Sequence, residues 1–398
     1  MKKYLIKKII IGLFALLFLT SCAKSKNDGA NYAMVETTDT LSFPLHKGVD
    51  IVMDIFIQSL YVHTDADGQE YLTFRDSHYE PRIFVYDMAN PSEEPRVITF
   101  EKEGPNGTGA VSVGYYISSW KEIYIPNLFV PEISVIDSTG TKTKTIMLGE
   151  GYSSLLTYTS SVSKNPFVKY RNHLYAEQMV NFRLGAEMSS TPPVDVVINL
   201  NDFSHQPSSF NFPQKLLYWG ENGKTGILQH AFKCSNENLL VYSFAYDEKI
   251  YVYDMDQDKL VRTVDARSKF IPKPSVLDYD YRFEQASYAD FKDICAEACY
   301  GNILHDPYRH LYYRIVYPET KVDAAENFTD LYRSGRSLFS IMVLDEEFNV
   351  LGETLLPENQ FRSNLLFINK DGLWISCNHY KNPRYDEENL NFIRFELN

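Results

Sequence analysis

Basic residues are too few in this sequence for a protein that binds nucleic acid. The 398 residues include 39 lysines and arginines against 52 aspartates and glutamates, which gives a net charge of −13. Proteins that bind nucleic acid cluster lysine and arginine to neutralise the phosphates. We therefore expect no nucleic-acid partner, and an acidic, solvated surface accounts for the charge.

The motifs of familiar catalytic sites are absent as well. The chain has no H-E-x-x-H, no G-x-S-x-G and no glycine-rich phosphate loop. Asp254, Asp256 and Asp258 resemble the start of a calcium loop, but Lys259 stands where such a loop needs glycine. We interpret this segment as a hairpin turn and expect no metal and no cofactor. Paired carboxylates for glycoside hydrolysis stay open, because they must be close in space and not in sequence.

Cysteines are few, and their spacing fixes no pairing. Besides Cys22 the chain has Cys234, Cys295, Cys299 and Cys377. Outside the cytoplasm disulfides are permitted, and four cysteines allow three pairings. Cys295 and Cys299 are four residues apart in a predicted helix. Disulfides and free buried thiols are both compatible with the sequence.

The start of the chain contains an export signal. Lysines at positions 2, 3, 7 and 8 precede an apolar stretch, 9–19, of eleven residues, whereas a membrane-spanning helix needs about 20. The stretch ends in Leu19-Thr20-Ser21-Cys22, which resembles the lipobox of bacterial lipoproteins. We predict a signal peptide over 1–21, lipidation of Cys22 as a membrane anchor, and a flexible tether over 22–38. Removal of 1–21 deletes four lysines and no acid, so the net charge falls from −13 to −17.

Six similar strands divide the rest of the chain. They are 82–88 (RIFVYDM), 132–137 (EISVID), 194–200 (VDVVINL), 249–255 (KIYVYDM), 338–345 (LFSIMVLD) and 390–397 (LNFIRFEL). Around each lie further short strands rich in valine, isoleucine and aromatic residues, bounded by turn residues. Four antiparallel strands repeated radially form a β-propeller. We predict an all-β, six-bladed propeller over 39–398, with blades at about 51–103, 111–149, 155–214, 226–267, 298–358, and 362–398 plus 39–46.

The sixth unit lacks its outermost strand, and the beginning of the chain supplies one. Residues 40–45 (TLSFPL) match the outer strands 96–100 and 144–148 in pattern. We expect this segment to close the ring by pairing in the last blade, which leaves no unpaired radial edge. A β-sandwich or two separate β domains would not explain why the missing strand lies at the start.

The lipobox, the six units and the closing strand together resemble the Bacteroidota lipoproteins with a six-bladed, TolB-like propeller, a family largely of unknown function. The resemblance covers about 39–398 and rests on layout. It implies the fold and a location in the cell envelope, and we expect the lipid anchor to lie in the outer membrane, with either the periplasmic or the outer side open. It brings no active-site residues.

The long connections are predicted to share one face of the propeller, and we place the functional site there. They are 101–110, 182–193, 218–226, 266–298, 317–337 and 379–388. A short helical insertion is expected near 284–299. Long loops on a rigid scaffold often carry function, and aromatic residues with polar neighbours suit sugar or peptide surfaces. The candidate ligand-binding residues are Trp219, Tyr279, Tyr281, Arg282, Arg333, Arg336 and Arg384.

The sequence favours a non-catalytic binding protein of the cell envelope over an enzyme. The partner would be a glycan, a peptide or an outer-membrane protein, with the membrane held through the lipid. One alternative is an envelope hydrolase or lyase acting on glycans or peptides at the mouth of the ring. A second is a scaffold subunit of an outer-membrane complex. Fold alone does not choose among them.

Overall fold

The computed structural model describes residues 32–49, 59–75, 77, 80–127, 130–149, 159–178, 192–213, 231–272, 295–323, 326 and 336–398. Strands dominate these residues, and only Cys295 and Ala296 among them are helical. The described part of the chain contains no helix with the length and apolar character needed to cross a membrane.

Six antiparallel sheets form the six predicted blades. Blade 1 contains β2 (Leu60–Thr64), β3 (Glu70–Phe74), β4 (Arg82–Asp87) and β5 (Arg96–Thr99). Blade 2 contains β6 (Tyr116–Ser119), β7 (Glu122–Pro126), β8 (Glu132–Ile136) and β9 (Lys142–Met147). Blade 3 contains β10 (Thr159–Ser160), β11 (Val168–Tyr170), β12 (His173–Gln178), β13 (Asp195–Asn199) and β14 (His205–Pro207).

The second half of the chain repeats the arrangement. Blade 4 contains β15 (Ala231–Asn236), β16 (Leu239–Phe244), β17 (Lys249–Asp254) and β18 (Lys259–Asp265). Blade 5 contains β19 (Cys299–Asp306), β20 (Leu311–Tyr317), β21 (Ser340–Asp345) and β22 (Val350–Leu355). Blade 6 contains β23 (Arg362–Asn369), β24 (Gly372–Ser376), β25 (Asn389–Leu397) and β1 (Met34–Pro44). The fold is therefore the predicted all-β, six-bladed propeller, and the sandwich alternative is wrong.

The recurring strands of the sequence are the third strands of the blades, and those of blades 1 to 5 are buried on both faces. In β17 five consecutive residues after Lys249 are buried, whereas in its outer neighbour β18 six of the seven residues are exposed. A strand covered on both sides by neighbouring sheets reads as a continuous apolar run, which explains the dense Ile-Tyr-Val-Tyr pattern. The fourth strands form the outer rim.

Six hydrophobic cores lie between successive blades, one for each pair. The core between blades 6 and 1 contains Phe43 of β1, Phe392 of β25 and Tyr86 of β4. The Phe43 ring is centred 5.3 Å from that of Tyr86 and 6.0 Å from that of Phe392. Because a core joins the last blade to the first, the ring is closed.

The closing strand β1 pairs with β25 as predicted, with Leu41 opposite Phe392 and Phe43 opposite Leu390. It begins at Met34, earlier than the predicted start at Thr40, and its register shifts between Glu36 and Thr40. Tyr32, two residues before the strand, also contacts the rim of blade 5. The Tyr32 N–H donates to the Leu351 carbonyl over 3.2 Å, and a Cβ at Gly352 would lie 1.9 Å from the Tyr32 oxygen. Only glycine allows this close approach.

The two faces of the ring differ in the length of their connections, as predicted. On the short-turn face, which carries the turns between first and second and between third and fourth strands, no connection exceeds eight residues (88–95 is the longest). All longer connections start and end on the opposite, long-loop face, among them 208–230, 266–298 and 318–339, of which only part is described, and 377–388. The helical insertion predicted near 284–299 falls mostly outside the described residues. Cys299, predicted to continue that helix, instead begins strand β19.

Candidate functional site

Two of the seven predicted ligand-binding residues are described by the structure. Trp219, Tyr279, Tyr281, Arg282 and Arg333 lie outside the described residues, as does Cys22. Arg336 and Arg384 both lie in connections of the long-loop face, after β20 and after β24. Each is held by other parts of that face.

Arg336 fixes the end of the 266–298 connection. Its guanidinium donates to the backbone carbonyls of Cys295, over 2.9 Å, and of Glu297. Its Cζ also lies 5.1 Å from the centre of the Tyr317 ring. The side chain therefore joins two long connections above blade 5.

Arg384 joins the 377–388 loop to the closing strand. Its Nη1 lies 3.0 Å from Oε1 of Glu36 in β1, and both side chains are about half exposed. The loop itself is fixed from inside by Asn382, whose side-chain amide donates to the carbonyls of Gln360 (2.7 Å) and Cys377 (3.0 Å). An exposed ion pair adds little stability, so Asn382 sets the shape of this loop more than Arg384 does.

Buried arginines support the same face from below, and the sequence analysis missed them. Arg314 of β20 is fully buried. It donates to the carbonyls of Asp247 (2.6 Å), Glu248 (2.8 Å) and Ala266 (3.1 Å). Its guanidinium lies 3.7 Å from the centre of the Tyr300 ring. A lone arginine within the apolar strand LYYRIVY was the available signal, because a buried charge requires such partners.

Arg75 plays the same part between blades 1 and 2. It is 1% exposed and donates to the Ser112 hydroxyl (2.7 Å) and to the carbonyls of Gly114 (3.2 Å) and Glu80 (2.8 Å). Arg362, at the start of β23, is buried to the same degree. Burial lowers the pKa of Arg314 and of Arg362 to about 10, so both stay cationic at neutral pH.

The middle of the ring is crossed by residues 159–167, which we call the central segment. It contains β10, and its residues 161–167 separate β10 from β11, which both pair with β12 as the first strand of blade 3. The Leu60 N–H of blade 1 donates to Ser163 Oγ (2.7 Å), the Tyr115 N–H of blade 2 donates to the Ser161 carbonyl (3.0 Å), and the Lys233 N–H of blade 4 donates to the Lys164 carbonyl (2.9 Å). Blades 1 and 4 are not neighbours, so a segment bonded to both lies across the channel.

Glycine makes one of these contacts possible. Gly114 has a φ of +79°, and a Cβ there would lie 1.6 Å from the Ser161 carbonyl oxygen. Any side chain would push the central segment away from blade 2.

Ionisable groups surround the central segment. The Ser160 hydroxyl donates to the Glu177 carboxylate, and burial raises the pKa of that carboxyl. Burial lowers the pKa of the Lys164 ammonium, against the opposing charge of Glu177. Both residues are half-buried.

A second carboxylate nearby, that of Asp195, is paired with a buried lysine and a tyrosine. Asp195 of β13 and Lys233 of β15 are both fully buried and form an ion pair of 2.7 Å. The other carboxylate oxygen of Asp195 accepts the Tyr242 hydroxyl. Burial, and next the Asp195 charge, raise the pKa of Tyr242. This triad joins blades 3 and 4.

A cleft opens on the long-loop face between the connections of blades 5 and 6. It has about 490 Å³ of empty space, part of it open solvent, and is lined by Lys321, Val322, Asp323, Glu326, Ser337, Glu358, Asn359, His379, Tyr380 and Lys381. Its charges nearly balance, with two lysines against one aspartate and two glutamates. The carboxylate of Glu326 accepts the Tyr380 hydroxyl and lies 2.6 Å from Lys381 Nζ.

His379 is the buried polar group of this cleft, with 2% of its surface exposed. Its Nδ1 accepts the Lys381 backbone N–H over 3.2 Å, and its ring stacks on Tyr380 with centres 5.0 Å apart. Burial, followed by the charges of Arg362 and Lys381, lowers the pKa of His379 to about 4. The imidazole is therefore neutral at pH 7, with its proton on Nε2.

The described residues contain no group of three or more histidine, cysteine or acidic side chains arranged for a metal ion. Asp254 closes a hairpin turn, as predicted, by accepting the N–H groups of Asp256 (2.8 Å) and Gln257 (3.0 Å). The four described cysteines, Cys234, Cys295, Cys299 and Cys377, are free thiols. Burial raises the pKa of each thiol, which leaves these thiols protonated and unreactive.

Comparison with known proteins identifies a family and a fold. The profile of the family described as Domain of unknown function (DUF4221) matches residues 32–355. The crystal structure of a DUF4221 family member from Bacteroides vulgatus superimposes with a TM-score of 0.75 at 20% identity, covering 93% of this chain and 99% of the other.

A second Bacteroides structure is more distant. A Bacteroides fragilis protein to which export has been ascribed gives a TM-score of 0.49 at 11% identity, over 94% of this chain and 97% of its own. No curated protein matches the sequence.

Proposed function

The chain belongs to the DUF4221 family, a domain of unknown function as the sequence resemblance predicted, and on that premise we propose its role from the site. It is an envelope lipoprotein, anchored through a lipid on Cys22, that binds a ligand or a protein partner with its long-loop face and carries out no catalysis. A glycan, a peptide or an outer-membrane protein is the partner.

The observation that carries the proposal is that the long connections start and end on one face, where buried and half-buried polar groups hold their described parts. Arg75, Arg314 and Arg336 each donate to backbone carbonyls of this face. Asn382 does the same within the 377–388 loop. Binding is tighter when a surface is ordered before the partner arrives, because less entropy is lost on association. Loops that serve only as connections would not need such support.

The groups at the centre of the ring favour binding over hydrolysis. A hydrolase or lyase acting there would need an accessible acid and base. Asp195 is enclosed by Lys233 and Tyr242, and Glu177 is bonded to Ser160 at the central segment. These contacts join blades and strands, which is a structural role.

The binding face is tested by retention of envelope material on two matched triple variants. One carries alanine at Lys321, Glu358 and Lys381 on the cleft. The other carries alanine at Lys121, Glu93 and Lys370, exposed residues of the same types on the short-turn face. We expect immobilised wild type and the short-turn variant to retain the same envelope component, and the cleft variant to retain about tenfold less. Equal retention by both variants contradicts the proposal.

The anchor is tested separately by the substitution Cys22→Ser. Two acyl signals hold a protein stably on a membrane, so the variant is expected in the soluble fraction and the wild type in the membrane fraction. A variant that stays with the membrane after washing in high salt contradicts lipidation at Cys22.

A further inference from the structure

The cleft beside His379 presents neutral hydrogen-bonding groups that the protein leaves unpaired. The Nε2–H of His379 has no partner among the described residues, while Nδ1 is fixed as an acceptor by the Lys381 N–H. Asn359 Oδ1 is buried and likewise without a partner in the described part of the chain. Buried polar atoms are normally satisfied, so the unpaired Asn359 Oδ1 points to a missing partner.

Contacts within the protein hold these two side chains in position before any ligand binds. The His379 ring is stacked on Tyr380, and Tyr380 is fixed by its hydroxyl on Glu326. Asn359 has a φ of +61°, and its N–H donates to the Ser337 carbonyl over 2.8 Å. The donor and the acceptor therefore stay in the cleft whether or not a partner is bound.

We propose that this cleft binds a neutral glycan through its hydroxyl groups. A hydroxyl accepts one hydrogen bond and donates another. A sugar hydroxyl can therefore accept a hydrogen bond from the His379 N–H, and a hydroxyl can donate one to the Asn359 side-chain oxygen. The nearly balanced charges of the lining residues give no attraction to an acidic polymer. A neutral imidazole, in addition, offers a carboxylate no ion pair. The inference rests on the proposed function and names the ligand class of one part of the long-loop face.

The test is binding of defined oligosaccharides to the full mature chain. The neutral probes are maltohexaose, cellohexaose, mannohexaose and chitohexaose. Hexagalacturonate represents acidic glycans, and a mixture of uncharged decapeptides represents peptides, as the two competing ligand classes. Saturation-transfer NMR identifies a bound probe, and calorimetry measures its dissociation constant. We expect one of the neutral glycans to bind, and neither competitor.

Two variants remove the two groups, a third keeps the donor, and a fourth serves as control. His379→Leu removes the donor, and Asn359→Gly removes the acceptor while allowing the positive φ. Each is expected to weaken binding about fivefold or more. His379→Gln keeps an N–H donor and is expected to bind better than His379→Leu. His310→Ala, an exposed histidine of the short-turn face, is expected to bind as wild type does.

Three results overturn the inference: no neutral glycan binds, an acidic glycan or a peptide binds in its place, or His379→Leu and Asn359→Gly both bind like the wild type. If His379→Leu does not fold, Asn359→Gly decides alone. A wild type that retains envelope material but binds no neutral glycan contradicts this inference and leaves the proposed function standing.

Discussion

Single buried arginines set the shape of the long-loop face. Arg314 reaches from blade 5 into blade 4 and donates to three carbonyls where the chain leaves its strands. Its Nε also donates to Ser243 Oγ over 2.9 Å. A guanidinium has five donors in a fixed plane, which an ammonium cannot reproduce. One residue thereby holds two connections in place.

We expect Arg314→Lys to lower the free energy of unfolding by about 2–4 kcal/mol, since buried carbonyls lose their donors while the charge stays. Arg262→Lys is the matched control. Arg262 is partly exposed and pairs with Glu347, so the change should cost under about 0.5 kcal/mol. Urea unfolding of the three proteins measures both values. Equal effects of the two substitutions would show that the buried contacts of Arg314 contribute little.

His379 makes stability depend on pH. Its pKa is about 4 in the folded protein and about 6.5 when unfolded. The unfolded chain therefore binds a proton that the folded chain excludes, so stability falls as pH drops from about 6.5 to about 4. Between pH 7 and pH 5 the wild type should lose about 2 kcal/mol more than His379→Gln. Urea unfolding at both pH values measures this, and identical losses contradict the assignment.

For single residues, the sequence indicates which connection contains each one, but not the groups to which its side chain bonds. Arg336 and Arg384 were correctly placed in long connections, yet nothing in the sequence shows that they bond to Glu297 and Glu36. His379 was one of nine scattered histidines. Its burial depends on the folding of 377–388 over blade 6, which no local pattern encodes.

The element on which the ring depends is the closing strand. β1 pairs with β25 over most of its length, and the Tyr86 hydroxyl of blade 1 donates to the Pro44 carbonyl over 2.7 Å. The Met34 N–H donates to Thr354 Oγ1 of blade 5 over 2.8 Å. One strand thus contacts three blades, and it covers the edge that β25 would otherwise expose.

Phe43→Ala tests this element without deleting it. Phe43 is fully buried between blades 6 and 1, so we expect a loss of about 3–5 kcal/mol. Val35→Ala lies on the same strand but at a side chain 41% exposed, and should cost under about 1 kcal/mol. Thermal and urea unfolding compare them. A Phe43→Ala protein as stable as Val35→Ala would contradict closure through this strand.

Elements with a regular pattern were predictable, and the irregular one was not. The six third strands and the closing strand follow from their apolar residues, because burial between blades requires them. The central segment has no such signature. Its serines and Lys164 read as an ordinary connection, and its role depends on backbone bonds to Leu60, Tyr115 and Lys233, which are far away in sequence.

For the whole molecule, the main consequence of the fold is its asymmetry. Six cores hold six blades in a ring, the short turns lie on one face, and the long connections start and end on the other. The sequence predicted this division because the strand order alone decides it. The chemistry of the long-loop face was not predictable, since it arises where connections from different blades meet.

Hydrogen exchange with and without a solubilised envelope fraction tests most directly whether the long-loop face is the binding face. We predict slower exchange in 318–323, 356–361 and 377–388 when the fraction is present, and unchanged exchange in the turns 65–69, 137–141 and 307–310. Protection of those turns, with 356–361 and 377–388 unaffected, would contradict it.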